Sequence, residues 1–250
     1  MEQSLVYILA AVTLVSLVSI VGIVLFLRKK LLNRILFFLV SFAAGSLLGA
    51  AFLDLLPESL QSGFNEHVPL FTIAGILSFF ILEKFLHWHH HHAEHKHEEV
   101  HAFTYLNLMG DAVHNFIDGA VIAVSFLHST SLGIVTTIAI IAHEIPQEIG
   151  DFAVLIYGGF SRAKALLYNF LTALTAIIGA LVAYFYSGLF EEAAAYITAF
   201  AAGGFIYIAG TDLIPELQKE KNIKKSFVQF ALLILGVAVI WIVARIFEGH

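Results

Sequence analysis

Hydrophobic residues occupy eight long blocks of the chain, and short polar segments separate these blocks. The blocks lie near residues 4–27, 35–57, 69–87, 103–127, 132–158, 164–188, 194–215 and 226–247. Each block is long enough to cross a hydrocarbon layer of roughly 30 Å as an α-helix. The pattern therefore predicts an all-α integral membrane protein whose residues 1–250 form a single domain of eight transmembrane helices.

The basic residues predict how these spans are oriented. If the spans are threaded in order, twelve of the 13 Lys and Arg residues lie at the loops between spans 1 and 2, 3 and 4, 5 and 6, and 7 and 8. Cytoplasmic loops carry an excess of Lys and Arg, so both termini are predicted to be extracytoplasmic. The first block does not read as a cleavable signal peptide, because it lacks a basic segment before its apolar run.

Two distant segments are similar to each other. Residues 42–58 (FAAGSLLGAAFLDLLPE) align without gaps on residues 200–216 (FAAGGFIYIAGTDLIPE) and match at nine of seventeen positions. They belong to spans 2 and 7, which cross in opposite directions. An inverted repeat requires this arrangement, and many transporters contain such a repeat. We predict that spans 1–3 and 6–8 form an inverted repeat around spans 4 and 5.

The repeat suggests two residues of a pathway. Asp54 and Asp212 are equivalent, and each precedes a proline (Pro57, Pro215) that is predicted to end its helix. Asp54 would approach the outer face and Asp212 the inner face. The alternative is that each carboxylate simply reaches water near the membrane surface.

Composition narrows the chemistry further. The chain is 59% hydrophobic with a mean hydropathy of +0.87, which is typical of membrane proteins. Its net charge of -6 disfavours nucleic acid as a partner. Since cysteine is absent, histidine must supply any soft metal ligand.

Spans 4 and 5 carry carboxylates without a basic residue. The window of residues 102–161 contains no Lys or Arg, but it holds Asp111, Asp118, Glu144, Glu148 and Asp151. An ionised Asp at the bilayer centre costs about 2.5–3.5 kcal/mol on insertion scales unless it pairs with a cation or lines a wet pathway. We therefore predict a bound metal ion; the alternative is hydrogen bonding between helices.

The spacing of these residues predicts two ligand-bearing helix faces. Asn107, Asp111, His114 and Asp118 are 4, 3 and 4 residues apart on span 4, which stacks them along one stripe. On span 5, His143 is four residues before Gln147, and Glu144 is four before Glu148 and seven before Asp151. Pro146 lies among them and frees a backbone carbonyl. Imidazole with carboxylate and amide oxygens suits zinc, with iron, manganese and cadmium as competitors.

The motifs HNFIDG on span 4 and HEIPQEIGDF on span 5, with a His-rich loop between spans 3 and 4, resemble those of the ZIP family of divalent-metal transporters. The resemblance is to the branch with a His-rich loop, and we expect a prokaryotic-type member in a cell (inner) membrane. It implies a metal site between spans 4 and 5 whose ligands are His114, Asn115, Asp118, His143, Glu144 and Gln147, with Glu148 as a weaker candidate.

The resemblance also bears on the number of ions and on partners. Family members often hold two metal ions and carry His or Glu where this chain has Gln147, so we expect one well-held ion here. Asn169 on span 6 either completes the site or makes an interhelical hydrogen bond. A homodimer is expected, and no organic cofactor.

The His-rich loop, residues 88–101, is predicted to be cytoplasmic. With the adjoining end of span 3, it contains eight of the 13 histidines: His87, His89, His90, His91, His92, His95, His97 and His101. Such tracts bind divalent metals, so we favour a buffering or sensing role over an inert linker.

Taken together, these features predict a secondary transporter that moves divalent metal ions, most of all zinc, into the cytoplasm. Two alternatives remain open. One is an intramembrane metalloenzyme, although Gln147 replaces the second His of an HExxH zinc site and span 4 lacks the Glu-x-x-His pair of di-iron proteins. The other is a metal sensor that transports nothing.

Overall fold

The computed structural model describes residues 2–22, 29–60, 66–91 and 100–247, and all regular structure in these residues is helical. Eight long helices follow one another in the described part of the chain: α1 (Glu2–Val18, extended by a 3₁₀ turn at Ser19–Gly22), α2 (Lys29–Ala50), α3 (His67–His91), α4 (Ala102–His128), α5 (Thr130–Tyr157), α6 (Arg162–Ala173, resuming as Thr175–Phe185), α7 (Ser187–Tyr207) and α8 (Ile223–Phe247).

Six of these helices are long and apolar enough to cross a membrane: α1, α2, α3, α6, α7 and α8. The protein is therefore an integral membrane protein with six candidate spans in its described residues. The other two, α4 and α5, have 27 and 28 residues and so are about 40 Å long. They carry the five carboxylates, so their polarity, rather than their length, distinguishes them from the six apolar helices.

The helix ends differ in places from the predicted ones. Helix α3 continues to His91, so the first four residues of the predicted loop 88–101 are helical. Between α4 and α5 only Ser129 intervenes. Its hydroxyl oxygen accepts a hydrogen bond from the backbone N–H of Leu132 at 3.1 Å, which caps the start of α5.

Helices α2 and α7 both continue through a π-helical segment, Ala51–Leu55 and Ile208–Leu213. Each segment holds the predicted pathway carboxylate, Asp54 or Asp212. The prediction that the following prolines end their helices was wrong, because a further α-helical turn contains them (Leu56–Ser59 and Ile214–Leu217). Proline removes a backbone donor and crowds the carbonyl four residues earlier; the wider π turn accommodates both effects.

Glycines allow two pairs of helices to approach closely. A Cβ atom on Gly45 of α2 would lie 2.0 Å from the carbonyl oxygen of Leu233 on α8. A Cβ atom on Gly203 of α7 would lie 2.1 Å from the carbonyl oxygen of Thr72 on α3. Only glycine fits at such distances. Gly45 and Gly203 are equivalent residues of the two aligned segments.

Helices α4 and α5 lie in the middle of the bundle. They pack against each other; α4 also contacts α1, α3, α6 and α7, and α5 also contacts α1, α2, α6 and α8. Their polar side chains are consequently buried among apolar helices.

Candidate metal site

Four ligand side chains meet where α4 packs on α5. Helix α4 supplies His114 and Asp118, one turn apart, and α5 supplies the adjacent His143 and Glu144. One ligand atom from each lies within 4.8 Å of the other three. Among the described residues, no other set of three or more His, Asp or Glu side chains meets this distance.

The distances between these atoms match a tetrahedral zinc site. His114 Nε2 lies 3.3 Å from Glu144 Oε1 and 3.7 Å from Asp118 Oδ2. His143 Nε2 lies 3.2 Å from Asp118 Oδ2 and 3.8 Å from Glu144 Oε1. Tetrahedral ligands about 2.0–2.2 Å from zinc are about 3.3–3.6 Å from one another. These four distances are close to tetrahedral values, and the other two pairs of ligand atoms lie within 4.8 Å.

The burial of these side chains also indicates a binding site. His114 and Glu144 are almost inaccessible to solvent, at 0% and 1%. Neither ring nitrogen of His114 and neither carboxylate oxygen of Glu144 makes a hydrogen bond within the described residues. Buried polar atoms in proteins nearly always have a partner, so atoms arranged in this way are suited to a ligand.

An acidic cavity of about 180 Å³ leads to this group. Asp118 and His143 line its inner end, and Asp54 and Glu58 line it from α2. Thr136 of α5 and apolar residues of α4, α5 and α8 complete the wall. His143 is correspondingly more exposed than His114, with 12% against 1% of its side-chain surface.

Comparison with known proteins agrees with this geometry. The family model described as "ZIP Zinc transporter" matches residues 3–104 and 87–244. The chain belongs to the ZIP zinc transporter family. Similar proteins include zinc transporter ZIP13 of Pongo abelii, which is 39% identical over 220 residues covering 80% of this chain and 64% of that protein.

Two further relatives have similar coverage. The zinc transporter ZIP13 homolog of Drosophila melanogaster is 32% identical over 282 residues, covering 86% of this chain and 79% of that protein. Zinc transporter ZIP13 of Homo sapiens is 35% identical over 256 residues, covering 80% of this chain and 68% of that protein. The chain thus spans between about two thirds and four fifths of the length of these three ZIP proteins.

The other ligands that the ZIP resemblance implies lie outside this four-residue group. The amide nitrogen of Asn115 donates to Oδ1 of Asp111 at 2.9 Å and also to the Asp111 carbonyl oxygen. Gln147 is buried, and its side-chain nitrogen and oxygen both lack a hydrogen-bond partner in the described residues. Glu148 accepts a hydrogen bond from Asn169 of α6.

A second group of polar residues lies further along α4 and α5. Asn107 of α4 donates to Asp151 Oδ1 at 2.9 Å, next to the Asn115–Asp111 and Asn169–Glu148 pairs. We call these six buried residues the inner polar cluster: Asn107, Asp111, Asn115, Glu148, Asp151 and Asn169.

The remaining predicted residues do not join either group. Asp212 is half-buried near Thr211, whose hydroxyl contacts its carboxylate at 3.4 Å. His101 precedes α4, and its backbone N–H donates to the carbonyl oxygen of Gly158. Of the His-rich loop, His87, His89, His90 and His91 belong to α3, whereas His92, His95 and His97 lie outside the described residues.

Some contacts of the described residues were not predicted. Glu58 lines the cavity. The Tyr157 hydroxyl at the end of α5 donates to Glu216 Oε2 at 2.8 Å, and Lys219 also pairs with Glu216. The Phe205 ring lies 5.4 Å from the His114 ring. The repeat held a clue, since Glu58 and Glu216 are equivalent in it.

Proposed function

We propose that this ZIP protein is a secondary transporter that moves divalent metal ions, above all zinc, across the membrane into the cytoplasm. The observation that carries this proposal is the set of four ligand atoms that lie within 4.8 Å of one another in the bundle, reached by an acidic cavity. His114, Asp118, His143 and Glu144 would bind the transported ion.

The four side chains suit zinc in both donor type and charge. Two imidazoles and two carboxylates form a donor set that zinc accepts readily. Two carboxylates also neutralise a divalent ion when both histidines are neutral. A neutral complex avoids the high cost of a net charge at membrane depth. Asp118 and His143, which face the cavity, would receive the ion before His114 and Glu144 complete its coordination.

The proposed path runs from the cavity toward the ends of α4 and α5 that we predict to be cytoplasmic. Asp54 and Glu58 would attract cations to the entrance, and Asp212 would lie near the exit. This path requires eight spans, with α4 and α5 shielded by the six apolar helices. The π-helical segments and the close-packed Gly45 and Gly203 occur at equivalent positions, which supports an inverted repeat.

We also propose an orientation, an oligomeric state and a role for the His-rich loop. Both termini would be extracytoplasmic in a cell membrane, and two copies would form a homodimer. Gln147, a neutral ligand at most, favours a single ion in the four-residue site. The His-rich loop would buffer or sense metal on the cytoplasmic side.

Liposomes that contain a metal-sensitive dye test the transport proposal. The purified protein should give zinc-dependent flux, and His114→Ala and Glu144→Ala should each abolish it. His128→Ala and Glu66→Ala are matched controls, since both side chains are exposed and lie outside the site. Flux that is absent, or unchanged in the two site variants, would contradict transport through these residues.

A metal sensor is the strongest alternative and has its own test. Deletion of residues 88–100 should leave a transporter with zinc flux and altered regulation, whereas a sensor should lose its response to metal. An intramembrane enzyme is disfavoured, because Gln147 stands where an HExxH site has its second His.

A further inference from the structure

An apolar groove between α2, α5 and α8 opens on the outside of the helix bundle. It has a volume of about 660 Å³, which is within the range of about 300–1,000 Å³ for clefts that hold small molecules. Phe38 lines it from α2, Ile145 from α5, and Val228 and Leu235 from α8. The last three side chains are 41%, 45% and 48% exposed. Because these helices lie in a membrane, lipid rather than water reaches the groove.

The groove has the length of one membrane leaflet. Along α8 it extends from Val228 to Val239, which are eleven residues apart and so about 17 Å apart in a helix. One half of a hydrocarbon layer of roughly 30 Å is about 15 Å thick. Val228 lies five residues after Ile223, where α8 begins. The groove therefore runs from near one membrane surface toward the middle of the bilayer, as the acyl chains of one leaflet do.

Helices α2 and α8 begin at the same membrane surface. A Cβ atom on Gly45 would meet the carbonyl oxygen of Leu233, and a Cβ atom on Gly49 would meet Ile240 at 3.0 Å, so the two helices run in the same direction. Positions 34 and 224 are eleven and nine residues before the first of these pairs. They therefore lie at similar depths.

Each of these two positions holds a basic residue about one turn before the groove. Lys224 precedes Val228 by four residues and Leu235 by eleven, and Arg34 precedes Phe38 by four. Residues at such spacings lie on the same side of a helix. The side of each helix that lines the groove therefore begins with a positive charge.

Lys224 is available to an anion from outside the chain. Lys219 pairs with Glu216, and the Lys225 ammonium lies 3.5 Å from the Glu220 carboxylate. The Lys224 side chain is exposed and makes no ion pair within the described residues. A long apolar groove with basic residues at one end is complementary to a molecule that has apolar chains and a negatively charged head.

We propose that this groove binds an anionic phospholipid, whose acyl chain lies along α8 and whose phosphate lies beside the first turns of α2 and α8. The binding does not depend on the proposed transport function. It adjoins the metal site, because a rotation of about 100° per residue turns Ile145 and Ile149 of α5 away from His143 and Glu144. The acyl chain would thus pack on the opposite face of the same stretch of α5 that holds two of the four proposed metal ligands.

Native mass spectrometry of the purified full chain in detergent tests this site, because it counts the lipids bound to each protein molecule. Phosphatidylglycerol and phosphatidylcholine with identical acyl chains are titrated separately. A basic residue near the membrane surface contributes about fivefold to the binding of an anionic lipid. We expect one phosphatidylglycerol to bind at least fivefold more tightly than phosphatidylcholine, and Lys224→Gln to weaken its binding about fivefold. Lys221→Gln, the same charge change at an exposed residue before α8, should have less than a twofold effect.

Leu235→Trp tests the groove itself, because the larger side chain would fill it. This change should weaken the binding of both lipids at least tenfold. Ile234→Trp is the matched control, since Ile234 is 49% exposed but does not line the groove. It should change lipid binding less than twofold.

Three results would overturn the proposal: equal affinity for the two lipids, unchanged lipid binding in Leu235→Trp, or an equal loss of phosphatidylglycerol binding in Lys221→Gln and Lys224→Gln. If a second copy of the chain covers the groove, Leu235→Trp will change the dimer fraction in the mass spectra without a change in lipid binding, which also refutes a lipid site. If Leu235→Trp fails to fold, the comparison of Lys224→Gln with Lys221→Gln decides alone.

Discussion

Replacing Glu144 by glutamine tests the four-residue site most sharply, because it removes charge and almost no volume. Glu144 Oε1 lies 3.3 Å from His114 Nε2 and 3.8 Å from His143 Nε2, so the carboxylate is one of two anionic ligands available to an ion there. With a neutral amide in place of this carboxylate, the bound complex would carry a net positive charge at membrane depth. Changes to groups that merely orient a metal ligand already cost 10–100-fold in affinity.

We therefore expect Glu144→Gln to weaken zinc binding at this site by at least about 100-fold, which corresponds to about 2.8 kcal/mol. The metal-free protein should behave differently. Without zinc, the Glu144 carboxylate contacts the His114 and His143 rings, and glutamine keeps an oxygen that can contact the same rings. The stability of the metal-free variant should therefore change much less than its zinc affinity.

Thermal unfolding with zinc and with a chelator measures both effects, because a ligand that binds only the folded state raises the unfolding temperature according to its affinity. Wild type and variant share the His-rich loop, so the difference between them reports on the site. Glu66→Gln, which changes an exposed carboxylate, is the control. A loss of affinity below threefold, or an equal loss of stability without zinc, would refute the reasoning.

Three further changes have expected outcomes. Glu58→Gln should raise the zinc concentration for half-maximal flux several-fold and make it less dependent on ionic strength, because one charge that attracts cations is lost. The maximal rate should not change. An equal effect on the maximal rate would contradict an attracting role at the entrance. Tyr157→Phe removes the hydrogen bond to Glu216, worth about 0.5–1.5 kcal/mol, and should increase hydrogen exchange at the end of α5; unchanged exchange would show that the bond stabilises nothing. Gly45→Ala should destabilise the protein by about 1–3 kcal/mol through overpacking. Gly210→Ala is the control and should not, because its Cβ would meet nothing within 4 Å. Equal unfolding temperatures of the two variants would contradict the close approach of α2 and α8.

The sequence was sufficient to indicate which residues of α4 and α5 face each other. Buried carboxylates without a basic partner need a cation, and a helical period of 3.6 residues assigns His114 and Asp118 to one face. Spacing does not determine which neighbour a polar side chain selects. Asn115 turns toward Asp111, and Glu148 toward Asn169 on α6, because those partners come from packing that the spacing does not encode.

Proline was the main source of error about the helices. Its missing N–H group predicts a helix end after Asp54 or Asp212, but a wider π turn satisfies the same restriction and lets the helix continue. Continuation past Pro57 is what carries Glu58 into the cavity.

The two ends of the proposed path differ although their sequences are similar. Glu58 and Glu216 are equivalent in the repeat, yet Glu58 lines the cavity whereas Glu216 binds Tyr157 and Lys219. Local sequence accounts for part of this difference, because Lys219 lies three residues after Glu216 whereas Gln61 holds the equivalent position after Glu58. The contact of Glu216 with Tyr157 instead reflects how this end packs against α5. If the halves exchange these arrangements during transport, the Tyr157–Glu216 contact would break as the cavity beside Glu58 closes.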